Sequence, residues 1–96
     1  MAMYLVLWNW TEQGIRNFKD SPKRVEAFEQ LVKKHEGKVI HFLYTLGKYD
    51  GAVLVEAPTD EAWLKIALNL GSLGNVRTTT LKAWSNSEAA KVFSKA

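Results

Sequence analysis

The fold is decided by residues 43–60, LYTLGKYDGAVLVEAPTD. Two apolar runs of β-forming residues flank the connection GKYDG at residues 47–51, and the sequence PTD at residues 58–60 ends the second run. Glycine and aspartate are typical of turns, and a threonine followed by acidic residues is typical of a helix N-terminus. The stretch therefore predicts a β-hairpin at the middle of the chain that leads directly into a helix.

The chain before the hairpin carries two alternating patterns that predict strands. Residues 3–10 alternate between two apolar sets rich in aromatic and β-branched side chains, so we expect both faces of this strand to be covered. Residues 38–46 alternate in the same way up to the hairpin. The predicted faces of this second strand are Val39, His41, Leu43 and Thr45 on one side, and Ile40, Phe42, Tyr44 and Leu46 on the other.

Apolar side chains at helical spacing predict two long helices. The first is expected to begin with Ser21 as its N-cap and Pro22 in its first turn, and to stop at Gly37. The second is expected to begin at Thr59 and to bury a stripe that includes Trp63. Both helices thus present one apolar face to a sheet.

The end of the chain supplies the last predicted strand and a short terminal helix. Residues 75–84 form a polar, β-branched run that fits an edge strand, and SNSE at residues 85–88 is a capping box that opens a short helix. The order β-α-β-β-α-β predicts an α+β, ferredoxin-like split βαβ fold: a four-stranded antiparallel sheet with its first and third strands central, and two long helices on one face. We expect one domain over residues 1–96, with its core in residues 3–84 and a terminal helix in residues 85–96.

One face of such a sheet has no helix to cover it. Whichever face is open, the first strand contributes either Leu5 and Leu7 or Val6, Trp8 and Trp10 to it. A soluble monomer rarely exposes an apolar surface of that size. The pattern therefore predicts either a homodimer or higher oligomer formed through the open sheet face, or a C-terminal helix that helps to cover this face.

Length and composition place the chain among ordinary globular domains. Its 96 residues suffice for one hydrophobic core, and 47% hydrophobic with 24% charged residues excludes a disordered or fibrous chain. The absence of cysteine excludes disulfides and thiolate metal sites and agrees with a cytoplasmic localisation. Residues 1–10 are apolar but lack a basic flank and are too short to cross a bilayer, so we expect no membrane segment.

Several separated motifs carry a family resemblance: NWT-x-x-G at residues 9–14, DSP at 20–22, TLGKYD at 45–50, VEAP at 55–58 and GNVRT at 74–78. Together they resemble the GYD-domain family of small bacterial and archaeal proteins. The resemblance implies a ferredoxin-like subunit of the dimeric α/β-barrel type. It implies no settled activity, because the biochemical role of that family is undefined, and it says nothing about the C-terminal helix.

Polar and aromatic side chains that could bind a ligand lie on the strands and in the hairpin. Tyr49 and Asp50 form either a structural turn or a tyrosine and carboxylate at the mouth of a pocket. Arg77 either pairs with Asp50 or a ligand carboxylate, or lies exposed. The candidate ligand-binding residues are Asn9, Trp10, His41, Tyr44, Tyr49, Asp50 and Arg77.

Metal and cofactor chemistry finds no support in the sequence. The two histidines, His35 and His41, are not spaced for metal ligation. His35 fits a half-buried role at the end of a helix, and His41 fits a buried, hydrogen-bonded role on a strand face. We therefore expect no metal site and no cofactor. The four tryptophans fill the core and subunit contacts, or else line a cavity between sheet and helices together with Asn9.

Three functions are compatible with these patterns. The preferred one is an oligomeric small-ligand-binding module or scaffold with no assignable reaction. The second is a cofactor-independent enzyme, monooxygenase- or isomerase-like, that uses Tyr49, Asp50 and His41 around a pocket. RNA binding is disfavoured, because residues 52–56 carry none of the aromatic side chains on which RNA-recognition domains stack bases, and because the lysines behind the net charge of +3 are scattered.

Overall fold

A four-stranded antiparallel sheet is the centre of the structure, a computed structural model that describes residues 1–96. The strands pair in the order β2-β3-β1-β4, so that β1 and β3 are central and β4 lies at an edge, as the sequence predicts. The strands are β1 (Ala2–Trp10), β2 (Lys38–Tyr44), β3 (Gly51–Ala57) and β4 (Val76–Ala83).

Four α-helices accompany the sheet, and two of them are long. They are α1 (Glu12–Arg16), α2 (Ser21–Lys34), α3 (Asp60–Ser72) and α4 (Asn86–Phe93). The Thr59 side chain caps α3 by accepting the Ala62 N–H, and Ser85 with Glu88 forms the predicted capping box of α4. The βαββαβ order confirms the ferredoxin-like α+β fold. No helix of the structure combines the length and the apolar character that a bilayer crossing requires.

The core lies between one face of the sheet and the helices α2 and α3. Alternation along β1 and β3 turns one apolar set of each strand toward the helices, where it meets the apolar stripes of α2 and α3. The buried core side chains are Tyr4, Val6, Trp8, Phe28, Val32, Val53, Val55, Ala57, Trp63 and Ile66. The other set of β1, which contains Leu5 and Leu7, therefore belongs to the open face.

The strict alternation predicted for β2 is wrong, because the strand contains an irregularity. Val39 pairs with Val55, while His41 already pairs with the next residue of β3, Leu54, so Ile40 is an extra residue. This bulge places Val39 on the core-facing side, where it packs against the buried cluster. The strand also ends earlier than predicted, since the chain turns away after Tyr44.

Two predicted roles at the ends of α2 are also wrong. Ser21 is the first helical residue instead of the cap, and its side chain is buried. At the other end, Glu36 and not Gly37 takes the left-handed conformation, with φ of 62°. Gly37 is required for another reason, because a Cβ there would lie 2.5 Å from the Glu56 carbonyl oxygen of β3.

Candidate ligand-binding site

A cavity of about 140 Å³ lies between the core-facing side of the sheet and the helices α2 and α3; we call it the sheet–helix cavity. Twelve of its 16 lining residues are hydrophobic. Its aromatic lining residues are Trp8, Trp10, Phe28 and Phe42, and its polar lining residues are Ser21, Arg24, Asn75 and Thr78. An apolar cavity with a few polar groups is the usual form of a small-molecule site.

Gly51 allows the aromatic side chains that line the sheet–helix cavity to pack together. It lies between Trp8 and Tyr44 in the sheet, paired with Trp8 on one side and with Tyr44 on the other. A Cβ at position 51 would overlap the indole of Trp8. Because Gly51 has no side chain, the indole can lie across β3, where its centroid is 5.6 Å from that of Phe42 and 5.7 Å from that of Tyr44.

The indole nitrogen of Trp8 is buried and has no hydrogen-bond partner in the structure. Trp8 is 4% exposed and lines the sheet–helix cavity. By contrast, Trp63 Nε1 donates to Thr80 Oγ1 at 3.0 Å. A buried donor without an acceptor costs about 1–3 kcal/mol, so a native structure that retains one requires an explanation.

The polar side of the cavity is held in place by hydrogen bonds. The Ser21 hydroxyl lies 2.8 Å from the Tyr44 hydroxyl and thereby joins α2 to β2. Arg24 donates to the backbone carbonyl oxygens of Asn17 at 3.2 Å and Gly14 at 3.1 Å. A guanidinium has five N–H donors, so Arg24 keeps further donors for a ligand. Among the residues that line the cavity, Arg24 is the charged one.

Asp50 in the hairpin connection and Asn9 near the end of β1 both form hydrogen bonds with backbone groups. The Asp50 carboxylate accepts the Trp10 N–H at 2.9 Å, and the Asp50 N–H donates to Trp8 O at 2.9 Å and to Asn9 Oδ1 at 3.1 Å. Tyr49 O accepts the Thr45 hydroxyl at 2.6 Å. These bonds attach the hairpin connection to the end of β1. None of these polar side chains lines the sheet–helix cavity.

His41 and Arg77 belong to the open side of the sheet, and both are exposed, so the buried role predicted for His41 is wrong. His41 pairs with Leu54 of β3, and Arg77 pairs with Asn9 of β1. The structure does not bring Arg77 into an ion pair with Asp50, whose carboxylate binds the Trp10 N–H instead. These two side chains are separated from the cavity by the thickness of the sheet.

A separate polar cluster lies where β1 and β4 meet the start of α3. The Tyr4 hydroxyl donates to Asp60 Oδ1, and Lys82 Nζ donates to Asp60 Oδ2 at 3.1 Å. Burial, followed by the hydrogen bond to Asp60, raises the pKa of Tyr4 from 10.0 to about 12. The bond from Tyr4, followed by that from Lys82, lowers the pKa of the Asp60 carboxyl below its usual 3.8. This cluster does not line the cavity.

The structure therefore divides the predicted ligand-binding residues between three places. Trp10 lines the cavity and Tyr44 adjoins it through Ser21, while the remaining candidates lie in the hairpin or on the open face. Sequence reasoning missed Ser21 and Arg24 as cavity residues. A signal existed, because both lie on the helical face of buried Phe28, at i, i+3 and i+7.

Fold and site together define a small α+β domain of the ferredoxin-like class with an apolar pocket between sheet and helices. The chain belongs to the GYD domain family, whose sequence model matches residues 4–93. One relative is the glutamine synthetase and cystathionine beta-lyase binding protein of Thermus thermophilus. It is 31% identical over 84 residues, which are 86% of this chain and 88% of the relative.

Solved structures share the fold. A glycine-to-threonine mutant of Rv3291c superposes with a TM-score of 0.68 at 16% sequence identity over 90% of this chain. This chain spans 52% of the length of that protein. The structure of TTHA0845 from Thermus thermophilus superposes with a TM-score of 0.57 at 24% identity, covering 88% of this chain and 95% of the other. These likenesses establish the fold and carry no function with them.

Proposed function

We propose that this protein is a homodimeric module that binds a small molecule in the sheet–helix cavity and catalyses no reaction of its own. The composition of the cavity lining carries this proposal. Arg24 is charged and holds two backbone carbonyl oxygens, and the other 15 lining residues are uncharged. Histidine, aspartate and glutamate, the side chains that most often act as general acid or base, are not among them. The lining therefore suits binding better than proton transfer.

The dimer is supported by the open sheet face. Its exposed apolar side chains include Leu43, which is 54% exposed, and Leu81, which is 45% exposed. Leu5, Leu7 and Leu54 lie between them on the central strands and are half-buried. A contiguous apolar patch of this kind marks an interface on a soluble protein. A second copy, pairing the same patch with itself across a two-fold axis, covers both patches at once.

Native mass spectrometry of the protein purified from its own cells tests both halves of the proposal. We expect a dimer that retains a small molecule. Leu43→Glu should give a folded monomer, because the introduced carboxylate would be buried without a partner in the interface. Leu64→Glu is the matched control, since Leu64 is 56% exposed on the outward side of α3 and should leave the dimer intact. A wild-type monomer at micromolar concentration would contradict the dimer.

A matched pair of variants tests whether the ligand binds in the sheet–helix cavity. Ala27 is exposed and lines the cavity, so it lies where the cavity opens, and Ala27→Trp should abolish the retained mass. Ala90→Trp places the same side chain on an exposed position of α4 and should retain it. Wild-type protein without any bound molecule, recovered under conditions that preserve the dimer, would contradict the ligand-binding half.

A second candidate function is direct binding of a partner enzyme. The Thermus relative, which is 31% identical, is named for binding glutamine synthetase and cystathionine beta-lyase. This name supports a protein partner for the present chain, in line with a scaffold role. Sedimentation of the purified protein with either enzyme tests it: we expect co-sedimentation, and separate boundaries at micromolar concentration of both components would rule out that partner.

A further inference from the structure

We infer that the sheet–helix cavity binds a monocarboxylate with an apolar body and that Arg24 selects its carboxylate, an inference that rests on the ligand-binding half of the proposed function. The charge of Arg24 gives the first argument. Arg24 is half-buried, lines the cavity and forms no ion pair with a carboxylate of the chain. The carbonyl oxygens of Gly14 and Asn17 accept two of its N–H groups but bring no net charge. A partly buried cation without a counter-ion favours the binding of an anion.

The guanidinium group itself lies beside two residues of the cavity lining, Trp10 and Asn75. Arg24 Nη2 donates to the Gly14 carbonyl oxygen at 3.1 Å. Gly14 in turn packs against both lining residues, because a Cβ there would overlap the Asn75 carbonyl oxygen and lie 3.1 Å from Trp10 Cδ1. The charged end of Arg24, and not only its aliphatic stem, is therefore close to the wall of the cavity.

Two further polar side chains of the lining have unpaired donors. Gln13 Nε2 donates to Asn75 Oδ1 at 2.9 Å, which occupies the acceptor of the Asn75 amide and leaves its NH2 group without a partner. The Thr78 hydroxyl also has no hydrogen bond in the structure, and Thr78 is paired with Trp8 on the core-facing side of the sheet. Aspartate and glutamate are absent from the lining. A carboxylate accepts hydrogen bonds and donates none, so it complements these groups.

The balance of charge and polarity restricts the class of anion. Arg24 neutralises one negative charge, whereas a phosphate dianion or a dicarboxylate would bring a second, unpaired charge into an apolar cavity. The planar carboxylate also matches the fork of N–H groups that a guanidinium presents. Because 12 of the 16 lining residues are hydrophobic, the rest of the ligand is apolar. A monocarboxylate meets all three conditions.

Three probes that share one apolar ring and differ in head group test the inference on the wild-type protein. They are cyclohexanecarboxylate, cyclohexanecarboxamide and cyclohexylmethylammonium. Nuclear magnetic resonance at pH 7 follows the methyl groups of Val6, Val53 and Val76, which line the cavity, and gives a dissociation constant for each probe. We expect the carboxylate to bind at least about tenfold more tightly than the amide, because hydrogen bonds to a charged group are stronger, and the ammonium to bind most weakly. Equal affinity for carboxylate and amide would overturn the inference.

Arg24→Gln tests whether this residue causes the preference for a carboxylate. Glutamine keeps donors for a backbone carbonyl oxygen but has no charge, so the ratio of carboxylate to amide affinity should fall about tenfold. If Arg24 only held α1 in place, the variant would change both affinities by the same factor and preserve the ratio, which contradicts the inference. Arg16→Gln is the matched control, because it removes the same charge from an exposed residue outside the lining and should leave the ratio unchanged.

The outcomes separate the ligand class from the proposed function. If all three probes perturb the cavity methyl groups with equal dissociation constants, the ligand class is wrong and the cavity still binds small molecules. If none of them perturbs a cavity methyl group at millimolar concentration, both the ligand class and the ligand-binding half of the proposed function are wrong.

Discussion

The paired side chains of Tyr4 and Asp60 make the stability of the protein depend on pH at the alkaline end. The folded chain holds the Tyr4 proton up to a pKa of about 12, whereas the unfolded chain releases it near 10.0. Stability is therefore complete below pH 10 and falls as the pH rises toward 12, because the unfolded state binds fewer protons there. Urea denaturation between pH 8 and 12 should show this loss.

Tyr4→Phe should reduce the loss of stability at alkaline pH, because the variant has no phenol at position 4. It should also be less stable than the wild type at pH 7, because it lacks the hydrogen bond to Asp60. Tyr49→Phe is the control: it removes a hairpin hydroxyl with no hydrogen bond in the structure and should leave the loss unchanged. At acid pH the dependence of stability on pH has the opposite sign. The pKa of Asp60 is lowered in the folded chain, so its contribution is present above pH 4 and is lost as the pH falls through the folded-state pKa. If Tyr4→Phe lost stability at alkaline pH as steeply as the wild type, the assignment of the alkaline loss to the Tyr4 hydroxyl would be contradicted.

Single residues also mark the limit of what the sequence could predict about the site. The aromatic pattern of β1 indicated that tryptophans could line a cavity, and the hairpin glycine at position 51 was visible in the sequence. The consequence of Gly51 was not predictable, because it depends on register: the glycine admits the Trp8 indole only when the two residues are paired across β1 and β3. The unpartnered Trp8 N–H likewise depends on three-dimensional packing and has no signature in the sequence.

At the scale of elements, Asp50 fixes the hairpin connection against the end of β1. Its carboxylate accepts the Trp10 N–H, and removing it leaves a partly buried backbone donor without a partner. Asp50→Ala should therefore lower the free energy of unfolding by about 1.5–3 kcal/mol, the range for hydrogen bonds to charged groups. Asp20→Ala is the matched control, because Asp20 is exposed and its side chain makes no capping hydrogen bond. Urea denaturation at pH 7 compares them, and equal losses would show that Asp50 is free for another role.

Elements were predictable where one local signal decides them. Thr59 and the Ser85–Glu88 box start helices as expected, because a capping side chain acts on backbone a few residues away. The bulge at Ile40 was not predictable, since it arises from the pairing of β2 with β3 and not from the composition of β2. The role predicted for Ser21 was wrong for a similar reason: its hydroxyl bonds to Tyr44, a partner 23 residues away.

At the scale of the whole molecule, the single chain is more extended than a compact domain of the same length. Its radius of gyration is 14.3 Å, and its extents are 49 × 30 × 17 Å. A compact chain of this length has a radius of about 12.5 Å. Helix α4 buries no residue, and its last two apolar side chains, Val92 and Phe93, are 58% and 69% exposed. The sheet and α4 thus both present apolar surface that a single copy leaves uncovered.

We therefore expect α4 to contact the second copy in the proposed dimer. Replacing Val92 and Phe93 together by serine should raise the dimer dissociation constant at least about tenfold, because burying such side chains contributes about 1.5–3 kcal/mol each. The monomer should keep its free energy of unfolding within about 0.5 kcal/mol, since neither side chain is buried in the single chain. Replacing Lys91 and Lys95 by serine is the control at the same end of the chain, and it should leave dissociation unchanged at about 0.15 M salt, where exposed charges are largely screened. Sedimentation equilibrium distinguishes the two pairs. Equal dissociation constants would show that the open sheet face alone holds the dimer and that α4 is exposed in the assembly as well.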